Sequence, residues 1–333
     1  VYAQNYFNTS ALNAMRNSRL CSFQVRLAAL LLFSAGVLPE AWAQHVIGTN
    51  VKRNADAVLT LMTFTITPDV TTSSLSLSSG STGNPNLQMS QLGGGFTLSK
   101  DVPVYMEGNA AYSRFDPKFL VSNGTEEREV PMKWNTASVT VGLGWDFKLM
   151  PELSLRPIFN YTQGYVSSDA SLAASFINYR TGSDIDFLKG GKMSAYGNGG
   201  SLMLDWEKFT PEHDTDLEIR YTNVTLRTKS DVDASMNGSA TAESLNVWSR
   251  LRVPTGWVAF ERPVRYVYEG TYSEFFGDQA YALGFKRLFS LGFGLELDTS
   301  ATWLPLTQRA RLVARHVFGE GVSGWSLGMA ISF

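Results

Sequence analysis

This sequence of 333 residues has few thiols and histidines and no surplus of charge of either sign. It holds one cysteine and three histidines, and its 28 basic and 30 acidic residues leave a net charge of −2. A near-neutral chain argues against a nucleic-acid partner. Three histidines leave little scope for a Ser-His-acid set, which needs three side chains converging on one wall. Long apolar runs are scarce as well. After the N-terminal region no stretch reaches the roughly 20 residues that a membrane-spanning helix needs. That absence does not exclude a membrane protein, because a transmembrane barrel needs only one apolar face on each strand.

The one long apolar run lies near the start. Arg16, Arg19 and Arg26 precede Leu27 to Leu38, and Ala41-Trp42-Ala43 follows with small residues at 41 and 43. This is the pattern of a secretory signal peptide over 15–43, with cleavage after Ala43. Residues 1–14 then lie upstream of an expected start at Met15, and 44–54 form a short periplasmic or lumenal lead. The only cysteine, Cys21, falls in the segment to be removed. A mature chain without a thiol suits an oxidising compartment.

What fills the rest of the chain is alternation. At the end, Trp325, Leu327, Met329, Ile331 and Phe333 alternate with small or polar residues. That period of two predicts a strand with one apolar face. Residues 309–318 put Arg309, Arg311 and Arg315 on one face and Leu312, Ala314, His316 and Phe318 on the other. Each arginine at mid-bilayer would cost about 2 to 4 kcal/mol, so that face must line a lumen. The same pattern recurs backward along the chain. Residues 280–298 read as one long strand with Tyr281, Leu283, Phe285, Phe289, Leu291, Phe293 and Leu295 outward. Strands follow at 263–275, 243–253, 215–228, 195–208, 153–165, 134–148, 103–115 and 88–100. A first strand near 55–67 places Val58, Met62, Phe64 and Ile66 outward.

The expected fold is therefore all-β: a transmembrane antiparallel barrel of about 12 strands over 55–333, an even number as single-chain barrels require. Short turns alternate with long connections, which places the short-turn end in the periplasm. Short turns are expected at 101–103, 150–152, 210–214, 254–263 and 299–305. Longer connections are expected at 68–87, 117–132, 166–192 and 229–240, with brief ones at 276–279 and 319–323 at the same end. In the third of these, Leu172, Ala173, Phe176, Ile177 and Tyr179 form a helical stripe over 168–180. Such a helix packs on the rim or folds inward as a plug.

The informative residues are the inward ones. The bases are Arg156, Arg220, Arg250, Arg252, Arg265, Lys286, Arg309, Arg311 and Arg315. The acids are Glu107, Asp146, Asp205, Glu207, Glu218, Glu269, Glu296 and Asp298. They make either an ion-pair lattice that fills the barrel or the charge rings of a selective pore. Glu296 and Asp298 end one strand while Arg309 and Arg311 begin the next, so the four are expected to meet near the periplasmic mouth. His45, His213 and His316 have no serine and acid at matching depth, so no hydrolase set is expected. No metal-ligand spacing and no phosphate-cradling loop are found, so neither metal nor cofactor is expected. Gly93-Gly94-Gly95 fits close packing in a strand better than phosphate binding. Lys118, Lys192, Lys286 and Arg287 are rim positions able to meet lipopolysaccharide phosphates.

A terminal aromatic closing an alternating strand resembles the end that outer-membrane barrels present to their assembly machinery. The signature residues are Trp325, Leu327, Met329, Ile331 and Phe333. More widely the chain resembles the solitary outer-membrane autotransporter β-barrel domains. The resemblance rests on Leu291-Gly292-Phe293-Gly294-Leu295-Glu296-Leu297-Asp298-Thr299, Arg309-Ala310-Arg311-Leu312, Val317-Phe318-Gly319 and the last strand, and it covers about 54–333. It implies a Gram-negative outer-membrane location, with lipid, lipopolysaccharide and the assembly machinery as partners. No passenger domain is seen, so the resemblance implies architecture and place more than an activity. A structural or interaction barrel and a narrow solute channel both remain open, with a surface hydrolase third.

Overall fold

A strand with one apolar and one mixed face can hide its edges only by pairing on both sides, and a set of such strands does this completely when the sheet closes. The computed structural model of the chain describes residues 59, 62, 63, 65, 72–79, 86–116, 118–122, 127–131, 134–168, 192–228, 238–299 and 308–332. The strands are β1 (Thr72–Ser79), β2 (Asn86–Thr97), β3 (Val104–Asp116), β4 (Lys118–Ser122), β5 (Glu127–Pro131), β6 (Trp134–Trp145), β7 (Phe147–Met150) and β8 (Leu153–Ser168). They continue as β9 (Lys192–Phe209), β10 (Asp214–Thr228), β11 (Ser239–Ala259), β12 (Arg262–Phe276), β13 (Arg287–Asp298), β14 (Arg309–Gly319) and β15 (Val322–Ser332). A helix, α1, spans Gly277–Leu283 between β12 and β13.

All strands but β4 and β5 join one antiparallel sheet of thirteen. It closes into one ring: β1, the first of its strands, pairs with β15, the last, and β6 pairs with β8. β6 and β7 are one strand interrupted at Asp146, and both pair with β8, so the wall has twelve strands. β4 and β5 form a separate two-stranded sheet beyond β3. The connections after β2, β7, β9 and β11, of two to six residues, fall at one end of the barrel, which we call the short-turn end, while the two-residue connection from β14 to β15 falls at the other. β11 joins β12 through Phe260 and Glu261, both at positive φ (52° and 61°).

Burial follows the alternation. On β6 every second residue from Trp134 to Gly142 is buried, and Val139, Val141 and Leu143 between them are more than half exposed on the outer wall. Leu92, Phe159, Leu291, Phe293, Trp325 and Leu327 continue this apolar outer belt. Tyr272, Phe289, Phe318, His316 and Trp325 form a chain of ring contacts across the wall, with Phe289 and Phe318 stacked at 5.7 Å.

Three expectations are corrected. The first strand is not 55–67. Leu59 and Met62 are fully buried, and Leu59, Met62 and Thr63 are helical. They pack on Trp134, Val166, Ala195, Val224, Leu226, Ala240 and Ala242, which are inward residues of the wall. The first strand is instead β1, where Leu77 is buried and Ser76 between the leucines is exposed. The apolar residues of β1 point inward, opposite in sense to the other strands, and the long connection expected at 68–87 shrinks accordingly.

The long strand expected over 280–298 is likewise two elements. Gly277 (φ 50°) and Gly284 (φ 73°) bracket α1, and the N–H of Gly284 caps it on Ala280 O. Leu283 and Phe285 are buried with Phe275, Leu288, Val317, Val322, Leu77, Leu87 and Met89, rather than facing outward. The turn expected over 254–263 is mostly strand, because β11 and β12 run on to a two-residue turn, with a bulge between Pro254 and Val258. The stripe at 168–180, the signal segment with Ala41 and Ala43, His45 and Phe333 lie outside the described residues.

Candidate functional site: the lumen

The inward faces divide by depth. Toward the end with the longer connections they are apolar, in two clusters, one around α1 and one around Leu59 and Met62. Toward the short-turn end they are charged. The wall makes room for large inward groups with glycine: a Cβ at Gly164 would lie 2.1 Å from the Met62 methyl, and one at Gly328 2.2 Å from Arg315 Nη1.

The segment around Met62 is also tied by polar contacts. Thr65 O accepts from Asn109 Nδ2 and from Ser138 Oγ, each at 3.2 Å, and Ser138 Oγ bonds Thr65 Oγ1 at 2.8 Å. Gln279 of α1 donates to Thr63 O at 3.2 Å. Thr65 thus touches β3 and β6, and Thr63 touches α1, from within the barrel.

Midway along the lumen, Arg220 of β10 is 1 % exposed and meets Glu107 of β3 in a two-pronged pair at 2.8 and 2.7 Å. Three wall strands (β6, β8 and β9) lie between these partners, so the pair cuts across the lumen. Asn160 Nδ2 donates to Glu107 at 2.7 Å, Tyr105 O–H donates to it at 3.2 Å, and Ser201 Oγ accepts from Arg220 at 3.0 Å. A carboxylate and a guanidinium with this many partners keep most of the solvation they lose on burial. Arg156 forms a second node: it pairs with Asp146, reaches Asp205 at 3.2 Å and lies 3.9 Å over the Tyr105 ring.

Nearer the short turns six side chains close a cycle in which charge alternates. Asp216 accepts from Arg250 at 3.1 Å and from Arg252 at 2.7 Å. Arg250 donates to Glu269 at 2.8 Å, and Arg311 lies 3.7 Å from the same carboxylate. Arg311 meets Glu296 at 3.3 Å, and Arg252 lies 3.7 Å from Glu296, which closes the cycle. Arg315 joins Glu269 at 2.6 Å, and Asp214 bridges Arg265 and Arg309. The β13–β14 register sets Glu296 opposite Arg311 and Asp298 opposite Arg309.

Most of the inward charges read from the sequence therefore sit in the lumen on the wall from β3 to β14. Glu218 shares the inward parity of Arg220. Glu207 is exposed beside a cavity of about 320 Å³ lined also by Lys148, Glu152, Asp205 and Lys208. Lys286 does not line the lumen. It precedes β13 at the opposite rim, exposed, and its backbone N–H bonds Glu320. Sequence reasoning passed over Asp216, which carries the cycle's link to β10, Asp214, which bridges Arg265 and Arg309, and Tyr105, the platform under Arg156. The signal for the aspartates was present: both share the parity of Glu218 and Arg220, although Asp214 fell in the span 210–214 read as turn. His316 lies on the outer wall among Phe318 and Trp325, and His213 sits in the β9–β10 turn. Among the described residues no group of three or more His, Cys, Asp or Glu side chains is placed to hold a metal ion.

No family model and no curated protein matches this sequence. Solved structures do show similar barrels. The β domain of the Bordetella autotransporter BrkA is 13% identical over 79% of this chain and 97% of that one, with a TM-score of 0.44. The transport unit of the autotransporter AIDA-I from Escherichia coli is 12% identical over 84% and 99%, with a TM-score of 0.43. The KdgM porin in complex with disordered oligogalacturonate is 8% identical over 79% and 99%, with a TM-score of 0.36.

Proposed function

We propose that the chain is an integral outer-membrane barrel with a closed lumen and a structural or interaction role. The short-turn end faces the periplasm and the other end faces outside. The exposed apolar belt is the lipid contact, and the chain of rings from Tyr272 to Trp325 marks an interface level. The observation that carries the reading is the seat of Leu59, Met62, Thr63 and Thr65, buried inside the wall, with the two threonines bonded to β3, β6 and α1. The cross-lumen Glu107–Arg220 pair lies along the same path. Lipid and lipopolysaccharide surround the barrel, and the assembly machinery reads its last strand. We assign it no catalytic role.

The second reading is a narrow solute channel. The polar lining of the short-turn half and its cavity favour it. Conductance of the refolded chain in a planar bilayer separates the two. The closed reading expects no steady current from a barrel that is folded by its heat-dependent gel shift. Steady, salt-dependent current with altered ion preference in Arg311→Gln overturns it in favour of the channel.

A further inference from the structure

A hairpin at the short-turn end reaches past the wall that carries it. β10 pairs with β11 as far as Asp214 and Arg252, and β13 pairs with β12 as far as Leu297 and Val264. Beyond those pairs β11 and β12 run on with only each other, Val258 opposite Pro263 and Ala259 opposite Arg262. The bulge between Pro254 and Val258 re-aims the strand. Within it Gly256 has a φ of 76°, and Thr255 Oγ1 donates to Val264 O at 2.8 Å and accepts from the Trp257 N–H at 2.9 Å. Trp257 lies against the outer wall, its ring meeting Tyr266 edge-on at 5.7 Å. Tyr266 continues to Phe293 at 5.8 Å and Phe293 to Tyr268 at 5.4 Å, and the last two belong to the exposed outer belt.

The tip of this hairpin is apolar and unsupported. Trp257, Val258 and Phe260 are 60%, 69% and 88% exposed. Two successive residues at positive φ make a turn that favours Asn-Gly, yet the chain places Phe260-Glu261 there. A bulky aromatic in that conformation is strained, and this one packs on almost nothing. Its side chain therefore answers something outside the chain. Two observations say what that is. The ring contacts make the hairpin continuous with the apolar outer wall. The height also fits: Arg262 and Tyr272 are the first and eleventh residues of β12. At about 3.4 Å per residue and a tilt of about 40° they stand about 25 Å apart along the axis, the height of the apolar band of a membrane barrel. Pro254 and Pro263 remove donors from the hairpin's edges, which disfavours a partner strand.

We propose that the β11–β12 hairpin is a membrane foot: Trp257, Val258 and Phe260 enter the boundary between headgroups and acyl chains of the phospholipid leaflet at the short-turn end. This rests on the outer-membrane reading above. An indole suits that boundary because one edge is apolar and the other donates a hydrogen bond. Phe260 has no polar atom and anchors deeper. Arg262 flanks the turn, on a stem long enough for its guanidinium to stay with headgroup phosphates. The strain at Phe260 is then the cost of aiming an apolar side chain into the leaflet from a two-residue turn, and the foot fixes the depth of this side of the barrel.

A nitroxide on Val258→Cys tests this, in the full chain with Cys21→Ser, refolded into vesicles of phosphatidylethanolamine and phosphatidylglycerol. Its collision rates with oxygen and with a water-soluble nickel chelate read its depth. The expected result is a label about 5 to 10 Å below the headgroup surface, favouring oxygen. The same label on Leu291→Cys, in the outer belt, reports on the barrel reading by itself. Lipid at 291 with water at 258 leaves the barrel standing and overturns the foot, giving the tip to a protein partner instead. Water at both positions overturns the barrel reading and the foot with it. Phe260→Asn relaxes the turn, so this variant is expected to fold, as its heat-dependent gel shift would show, while the label at 258 moves toward water. An unchanged depth in Phe260→Asn overturns the anchoring role of the tip.

Discussion

The two halves of the lumen solve the same problem by different chemistry. In the short-turn half the inward residues of neighbouring strands answer one another as ions, and the six-membered cycle is made by the wall alone. In the opposite half the inward residues include Trp134, Val166, Val224, Leu226 and Leu288, which cannot satisfy one another across an open bore. They are covered instead by pieces that are not wall at all, Leu59 and Met62 on one side and α1 on the other. A barrel wider than about eight strands leaves space at its axis. Charged side chains are long enough to span that space, whereas aliphatic ones need a filler.

The largest effect should come from the boundary between the halves. Arg220→Leu leaves Glu107 buried without its partner, which costs about 3 to 5 kcal/mol. Urea unfolding of the refolded barrel reads this, and adding Glu107→Leu should return most of the loss. A single-variant cost near zero, or no return in the double variant, would mean that the pair is solvated and that the halves are not sealed from each other. Next comes the filler. Met62→Ala removes a fully buried side chain from the apolar cluster, at about 2 to 3 kcal/mol. Its sharper readout is faster proteolysis at 59–65 with the strands still protected. Loss of protection throughout would contradict a separable filler. The smallest effect belongs to the outer rim. Arg287 and Glu274 pair at 3.4 Å with the arginine side chain 39% exposed, and Arg287→Ala should cost less than about 1 kcal/mol. A larger loss would show that the rim, and not only the lumen, holds the barrel closed.

The same contrast explains what could be read from sequence. Ionic inward faces were legible because arginine cannot sit in lipid: Arg309, Arg311 and Arg315 fix a phase by themselves. Strands with an apolar outer face were legible for the complementary reason, as Val139, Val141 and Leu143 show. Period two fails where the lumen itself is apolar, because the pattern then no longer says which face is which. Val58, Met62, Phe64 and Ile66 alternate as a strand does, yet Met62 is helical and buried in the bore. Leu75 and Leu77 alternate with serine in β1, and there the apolar side is the inside. In α1 the parity from Tyr281 to Phe285 continued by coincidence, and the flanking Gly277 and Gly284 were the stronger signal. The Glu107–Arg220 pair is invisible to any local pattern, since its partners are 113 positions apart.

That separation bears on the order in which the barrel is made. The cycle draws only on β10 to β14, a continuous run of chain, and its hydrogen bonds join residues 15 to 36 positions apart. Such contacts can form while the sheet is still an open ribbon, since short loops close at little entropic cost. The arginines of this ribbon are therefore neutralised before the seam between β1 and β15 is drawn shut. The cross-lumen pair waits for β3 to come round. On this ordering, variants of the cycle are expected to slow folding and variants of the cross-lumen pair to speed unfolding, so that the pair acts as a late latch on the finished barrel.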